Sequence, residues 1–90
     1  MKYRLSQLAE DDLVRIYLYG KQKFGTNQAI KYNQELFETF ELIARNPEAF
    51  PKVDFIKPNF RRCVCGSDSI YYKIGEDDVE IMTIIGSQDF

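Results

Sequence analysis

The stretch RRCVCGSDSIYYKIGEDDVEIMTII, residues 61–85, decides the fold. It holds three runs rich in β-branched and aromatic residues: Arg61 to Cys65, Ser69 to Ile74 and Val79 to Ile85. Gly66-Ser67-Asp68 and Gly75-Glu76-Asp77-Asp78 separate them, and such residues between such runs mark tight reversals. The spacing predicts a three-stranded antiparallel meander. In its middle strand Ile70, Tyr72 and Ile74 form one stripe and face the core, while Tyr71 and Lys73 share the outer face. Arg61 and Arg62 are adjacent, so they point to opposite faces, and an inward arginine needs a carboxylate or carbonyl partner. Cys63 and Cys65 alternate onto one face. One intervening residue is too tight for an easy disulfide, and both read as small buried thiols.

Upstream the period changes. Lys2 to Leu5 alternates polar and apolar, as a short strand does. Ser6 is a good N-cap, and Glu10, Asp11 and Asp12 follow where the helix dipole favours negative charge. Ala9, Leu13, Ile16, Gly20 and Phe24 then recur at steps of three or four, widened by Val14, Tyr17 and Leu18, which predicts a helix over Gln7–Phe24. Gly25 is a natural stop, and Thr26 or Asn27 can cap a second helix at once. Its stripe is Ala29, Leu36, Phe40 and Ile43, and Asn46-Pro47 ends it. So short a connection makes an antiparallel helical hairpin. Residues 47–58 read as a crossover tethered by Phe50, Val53, Phe55 and Ile56. The whole is one α+β domain over residues 1–90: an N-terminal strand, an antiparallel two-helix hairpin, then the three-stranded meander, with the helices on one face of the sheet.

Composition narrows the function. The chain has 90 residues, a net charge of −2 and no histidine. Without histidine there is no imidazole base or zinc ligand, and serine, cysteine and metal-dependent hydrolase schemes that need one are excluded. A mild acidic excess argues against coating nucleic acid or reading it sequence-specifically. No metal or cofactor is expected: Asp11-Asp12 and Asp77-Asp78 are explained by a helix first turn and a hairpin tip. The N-terminus lacks an apolar signal core, no run is long enough to span a membrane, and unpaired thiols suit a reducing cytoplasm. Basic charge gathers on Lys52, Lys57, Arg61, Arg62 and Lys73, whereas residues 74–90 hold five acidic residues and no basic one. Arg61, Arg62, Tyr71 and Lys73 are therefore the candidate target-binding residues, an exposed aromatic beside cations suiting a macromolecular partner.

An ordered set of short motifs resembles the ParE-type toxins of the RelE/ParE superfamily, from bacterial type II toxin–antitoxin systems. It comprises Tyr3-Arg4-Leu5-Ser6 with Ala9-Glu10, Asp12-Leu13 and Ile16; Phe24-Gly25 with Ala29 and Tyr32; Ile43-Ala44 with Asn46-Pro47; Ile56-Lys57-Pro58 with Phe60-Arg61; Gly66-Ser67; Ile70-Tyr71-Tyr72-Lys73; and Val79-Glu80-Ile81 with Ile84-Ile85. The resemblance implies the α+β fold already read, a toxin that poisons DNA gyrase without being a catalyst, and neutralisation by a cognate ParD-like antitoxin. Candidate antitoxin contacts lie along the hairpin at Leu13, Tyr17, Phe37 and Phe40 and on an adjoining edge strand. Thr83, Gly86 and Gln88 stand where many family members carry basic or histidine residues, and Glu80 and Asp89 make the last strand acidic. Two alternatives follow. One is a RelE-type ribosome-dependent mRNA endonuclease using Arg61, Arg62, Lys73 and Tyr71 or Tyr72. The other is a degenerate toxin that only binds an antitoxin.

Overall fold

A computed structural model describes residues 1–86. Among these the elements run β1 (Lys2–Leu5), α1 (Gln7–Phe24), α2 (Thr26–Arg45), β2 (Arg61–Cys65), β3 (Asp68–Ile74) and β4 (Asp78–Gly86). The sheet order is β1-β4-β3-β2, so the first strand lies beside the last. β1 runs parallel to β4, with Lys2 opposite Asp78 and Leu5 opposite Ile81, and the meander β2-β3-β4 is antiparallel. A parallel pair cannot be joined by a tight turn; here the helical hairpin and two strands intervene.

Each helix end has a local cause. Ser6 is extended, and its Oγ accepts from the Ala9 N–H at 3.0 Å while its own proton goes to Met82 O at 2.7 Å. One hydroxyl thus caps α1 and ties it to β4. Gly25 closes α1 and opens α2 with no residue to spare: its N–H donates to Lys21 O, and its C=O accepts from Ala29 N–H. Its φ of +92° is a value side chains other than glycine rarely adopt. The capping expected from Thr26 or Asn27 does not occur, since Thr26 is already the first helical residue and Gly25 is the cap.

The two stripes meet the sheet as the periodicity requires. Ala9, Leu13 and Ile16 of α1 and Leu36, Phe40 and Ile43 of α2 pack on Cys63, Cys65, Ile70, Tyr72, Val79, Ile81 and Ile84. Phe40 is the hub: its ring lies 5.5 Å from Tyr3 and 5.3 Å, edge-on, from Phe37. Both thiols are buried, and that burial pushes their pKa values up, with the hydrogen bond from Thr39 opposing the rise at Cys65. Val14 and Leu18, expected to widen the α1 stripe, and Phe24, expected at its end, are exposed instead.

The crossover departs from expectation. Phe50 and Val53 tuck against the core, but Phe55 is 86% exposed and Ile56 is also exposed. Val53 O accepts from both Ile56 and Lys57 N–H, a tight local turn that carries the two side chains outward. Among the described residues no helix is long and apolar enough to cross a membrane.

Replacing Ser6 with alanine removes the cap and the Met82 bond together. Ser6→Ala is expected to cost about 1–2 kcal/mol, read as a lower urea midpoint at unchanged slope.

Candidate functional site

The outer face of the sheet carries a row of alternating charge. Arg4, Glu80 and Lys73 are register partners across β1, β4 and β3. Arg4 Nη1 reaches Glu80 Oε2 at 2.7 Å and its Nε reaches Asp78 Oδ2 at 3.0 Å, while Lys73 Nζ lies 3.7 Å from Glu80 Oε1. Exposed pairs of this kind stabilise by only about 0–1 kcal/mol each. Their effect is on the charge pattern: the Lys73 ammonium, a candidate target contact, is shared with Glu80.

The two arginines diverge as strand geometry dictates. Arg61 is half-buried, and its Nη1 donates to Phe50 O at 2.7 Å and Glu48 O at 3.2 Å. Opposite it on β3, Tyr72 donates its hydroxyl proton to Pro47 O at 2.6 Å. Together they fasten the crossover to the sheet. Arg61 is thus a structural clamp rather than a free cation for a target. Burial raises the Tyr72 pKa to about 12, with the Arg61 charge opposing and Cys63 adding. Arg62 is exposed, its Nε 2.9 Å from Ser69 Oγ.

Tyr71 is not the exposed aromatic that alternation predicts. Tyr71 faces Thr83 and Tyr72 faces Ile81, so Met82 is an extra residue on β4. Such a bulge bends and twists a strand. Tyr71 lies outside the core cluster yet is only 9% exposed. Of the hairpin candidates, Leu13 and Phe40 belong to the core and offer no surface, Phe37 is half-buried against Phe40, and Tyr17 is half-buried.

Tyr17 lines a cleft of about 540 Å³ between the hairpin and the β2–β3 turn, walled also by Tyr19, Phe24 and Tyr32 and reaching Ser67 and Asp68. The Tyr32 hydroxyl lies 2.5 Å from Asp68 Oδ2 and 2.8 Å from Cys65 O, so its one proton serves both acceptors. Burial first, then the Asp68 hydrogen bond and charge, push the Tyr32 pKa up. Gly66 makes this approach feasible: its φ is +58°, and a Cβ there would sit 2.7 Å from the Tyr32 ring. Sequence reasoning took Asp68 for a turn residue. The available signal was register, since Asp68 stands two residues before Ile70 and four before Tyr72, on the inward stripe.

Asp12 also does more than face a helix dipole. Its Oδ2 accepts from Thr83 Oγ1 at 2.6 Å and from the Ile84 N–H at 2.9 Å, and Arg15 Nη2 donates to Ile84 O at 3.0 Å. Thr83, one of the departures from the family's basic pattern, therefore has a partner inside the fold. Gly86 ends β4; Gln88 and Asp89 lie outside the described residues.

The combination of a helical hairpin on one face of a small mixed sheet is that of the RelE/ParE-like α+β domains. A profile of the family described as "ParE toxin of type II toxin-antitoxin system, parDE" matches residues 3–89, and the chain belongs to that family. It is 37% identical over 83 residues to Toxin ParE1 of Caulobacter vibrioides, covering 92% of this chain and 85% of that protein. It is 28% identical over 85 residues to Toxin ParE1 of Mycobacterium tuberculosis, covering 93% and 87%. In fold it is similar to a chain of the "Chromosomal ParDE TA system from P. aeruginosa", with a TM-score of 0.81, 21% identity and coverage of 96% and 95%.

The Tyr72 clamp has a pH signature. An unfolded tyrosine ionises near its ordinary value of 10.0, the folded Tyr72 only near 12. Its contribution is fully present below pH 10 and is lost as pH rises toward 12. The denaturant midpoint of the native chain should therefore fall more steeply across that window than that of Tyr72→Phe, which should already be weaker by about 1 kcal/mol at pH 7. Equal slopes in the two proteins would contradict the clamp.

Proposed function

We propose that this chain is the toxin of a type II pair, that it inhibits DNA gyrase stoichiometrically, and that a cognate ParD-like antitoxin neutralises it in the cytoplasm. The observation that carries the reading is family membership over residues 3–89. The site's charge pattern supports binding over RNA cleavage. Cutting a phosphodiester needs clustered cations and a proton-transferring pair. Here Arg61 is committed to two carbonyls, and Lys73 and Arg4 share Glu80. Exposed Val14, Leu18 and Phe24 on α1 offer apolar surface to a partner. β2 is an edge strand whose first half is covered by the crossover, through Arg62 N–H to Pro51 O and the Lys52–Arg61 bridge. Its second half, with exposed Val64, is the place for strand addition.

The test is induced expression with and without the antitoxin, read by a gyrase cleavage and supercoiling assay and by codon-resolved mapping of mRNA ends. Gyrase-dependent DNA cleavage without ribosome-dependent cuts is expected. Discrete cuts on the ribosome would replace this reading with the endonuclease, and inertness in both assays with an intact antitoxin complex would replace it with a pure binding module. Arg62→Ala should weaken gyrase inhibition by about 1–3 kcal/mol, several-fold to a hundredfold, while antitoxin affinity stays unchanged.

A further inference from the structure

The crossover ends in a closed loop that holds apolar side chains out in water. Its neck is tied twice, by Val53 N–H to Phe60 O at 2.8 Å and by Arg62 N–H to Pro51 O at 3.1 Å. Inside the neck, Val53 O takes the N–H groups of Ile56 and Lys57, Lys57 O takes that of Phe60, and Asp54 Oδ1 takes that of Asn59 at 2.9 Å. Asn59 sits at a φ of +69°, a conformation that asparagine tolerates better than most side chains. At the tip Phe55, 86% exposed, is the most exposed large apolar side chain among the described residues, and Ile56 beside it is 55% exposed. One exposed apolar residue needs no explanation. Two in succession on a loop this fully bonded do, because the loop cannot fold them inward without breaking its own hydrogen bonds.

The surroundings of the tip are basic on a chain whose net charge is −2. Lys52, Lys57 and Arg62 are exposed, and Lys57 Nζ is held 5.6 Å from the centre of the Phe60 ring. Asp54 is the only acid between residues 52 and 62, and it is engaged by the Asn59 N–H. An aromatic and an aliphatic side chain inside a ring of cations complement an apolar pocket bordered by carboxylates. A loop already ordered in its own fold also loses little conformational entropy on docking. Its position sets it apart from the surface offered to the antitoxin. The loop joins β2 at Arg61, opposite Tyr72, whereas exposed Val64 stands opposite Ser69 in the half of β2 open to strand addition.

We propose that this loop is the element that reads the toxin's target: Phe55 and Ile56 enter an apolar pocket of the target protein, and Lys52, Lys57 and Arg62 meet carboxylates at its rim. The inference rests on the proposed gyrase inhibitor and adds to it the surface and chemistry of the contact.

The test is the double variant Phe55→Ser/Ile56→Ser of the full chain, titrated beside the native chain into gyrase holoenzyme in the supercoiling assay. Inhibition weaker by roughly thirtyfold or more is expected, the effect of losing an apolar anchor. The thermal midpoint and the affinity for the antitoxin should be unchanged, since neither side chain supports the core. Lys52→Glu/Lys57→Glu should weaken inhibition by roughly tenfold and flatten its dependence on salt. Native inhibition by Phe55→Ser/Ile56→Ser, or an equal loss of antitoxin affinity, overturns the proposal. So does co-sedimentation of the native chain, but not of that variant, with vesicles of phosphatidylglycerol and phosphatidylcholine, which would make the tip a membrane contact. If the native chain leaves gyrase untouched, the gyrase reading falls and growth arrest on expression without antitoxin decides the loop. Arrest relieved by the apolar double variant at native abundance keeps the loop as the target contact; arrest that persists, or none with the native chain, overturns it.

Discussion

Strand β4 outruns its neighbour, and the rest of the fold depends on how that is resolved. β1 stops at Leu5, opposite Ile81, but β4 continues to Gly86. The exposed edge is finished by the start of α1. Ser6 gives its N–H to Ile81 O and its hydroxyl proton to Met82 O, Asp12 accepts the Ile84 N–H, and Arg15 donates to Ile84 O. Side chains of a helix thus do for Ile84 what a strand would do. α1 must lie along that edge for the contacts to form, α2 must then follow through Gly25, and the two stripes fall on the same face of the sheet. The same contacts deny the overhang of β4 to a pairing strand, so that the edges of the sheet are β1 and β2.

Much of this was legible because it is local. Periods of 3.6 and 2, the Ser6 cap, the Gly25 stop and the two glycine-containing turns placed the helices and the meander to within a residue or so. What was not legible is contact between residues far apart in the chain. The adjacent Arg61 and Arg62 announced that one inward arginine needs a carboxylate or carbonyl partner, but nothing in the neighbourhood says that it is Arg61 or that Glu48 and Phe50 supply the carbonyls. Asp12 reads locally as a helix-dipole charge, because its partners Thr83 and Ile84 are 71 and 72 residues away. Tyr71 was misjudged for another reason. Alternation along β3 tells which face a side chain takes but not how far that face is covered, and Tyr71 is buried although it lies outside the core cluster. Asp68 lay between these cases: its inward register was readable, but its polarity and turn position masked it.

The candidate surface changes character once the partners are known. Read as a sequence, Arg61, Arg62 and Lys73 form a basic cluster. In the fold one is a fastener, one is neutralised by a carboxylate, and Arg62 alone remains as an exposed guanidinium among the three. Further apolar contact area lies elsewhere, on the helical hairpin and its cleft. The exposed cations that remain on this side are Lys52, Lys57 and Arg62, while the exposed apolar side chains Val14, Leu18 and Phe24 lie on α1.

Gly25 belongs to both helices' ends, and this makes the hairpin sensitive to length rather than to composition. A helix turns by about 100° per residue. One residue inserted at the joint would rotate α2 by that amount about its axis unless the joint absorbed it. Leu36, Phe40 and Ile43 would leave the core together, and Tyr32 would swing away from Asp68. Substitutions along the exposed sides of the helices leave this phase untouched. The joint therefore behaves as a reading frame in three dimensions: divergence among such chains can accumulate on either helix, but insertions and deletions should be confined to the crossover and the strand turns.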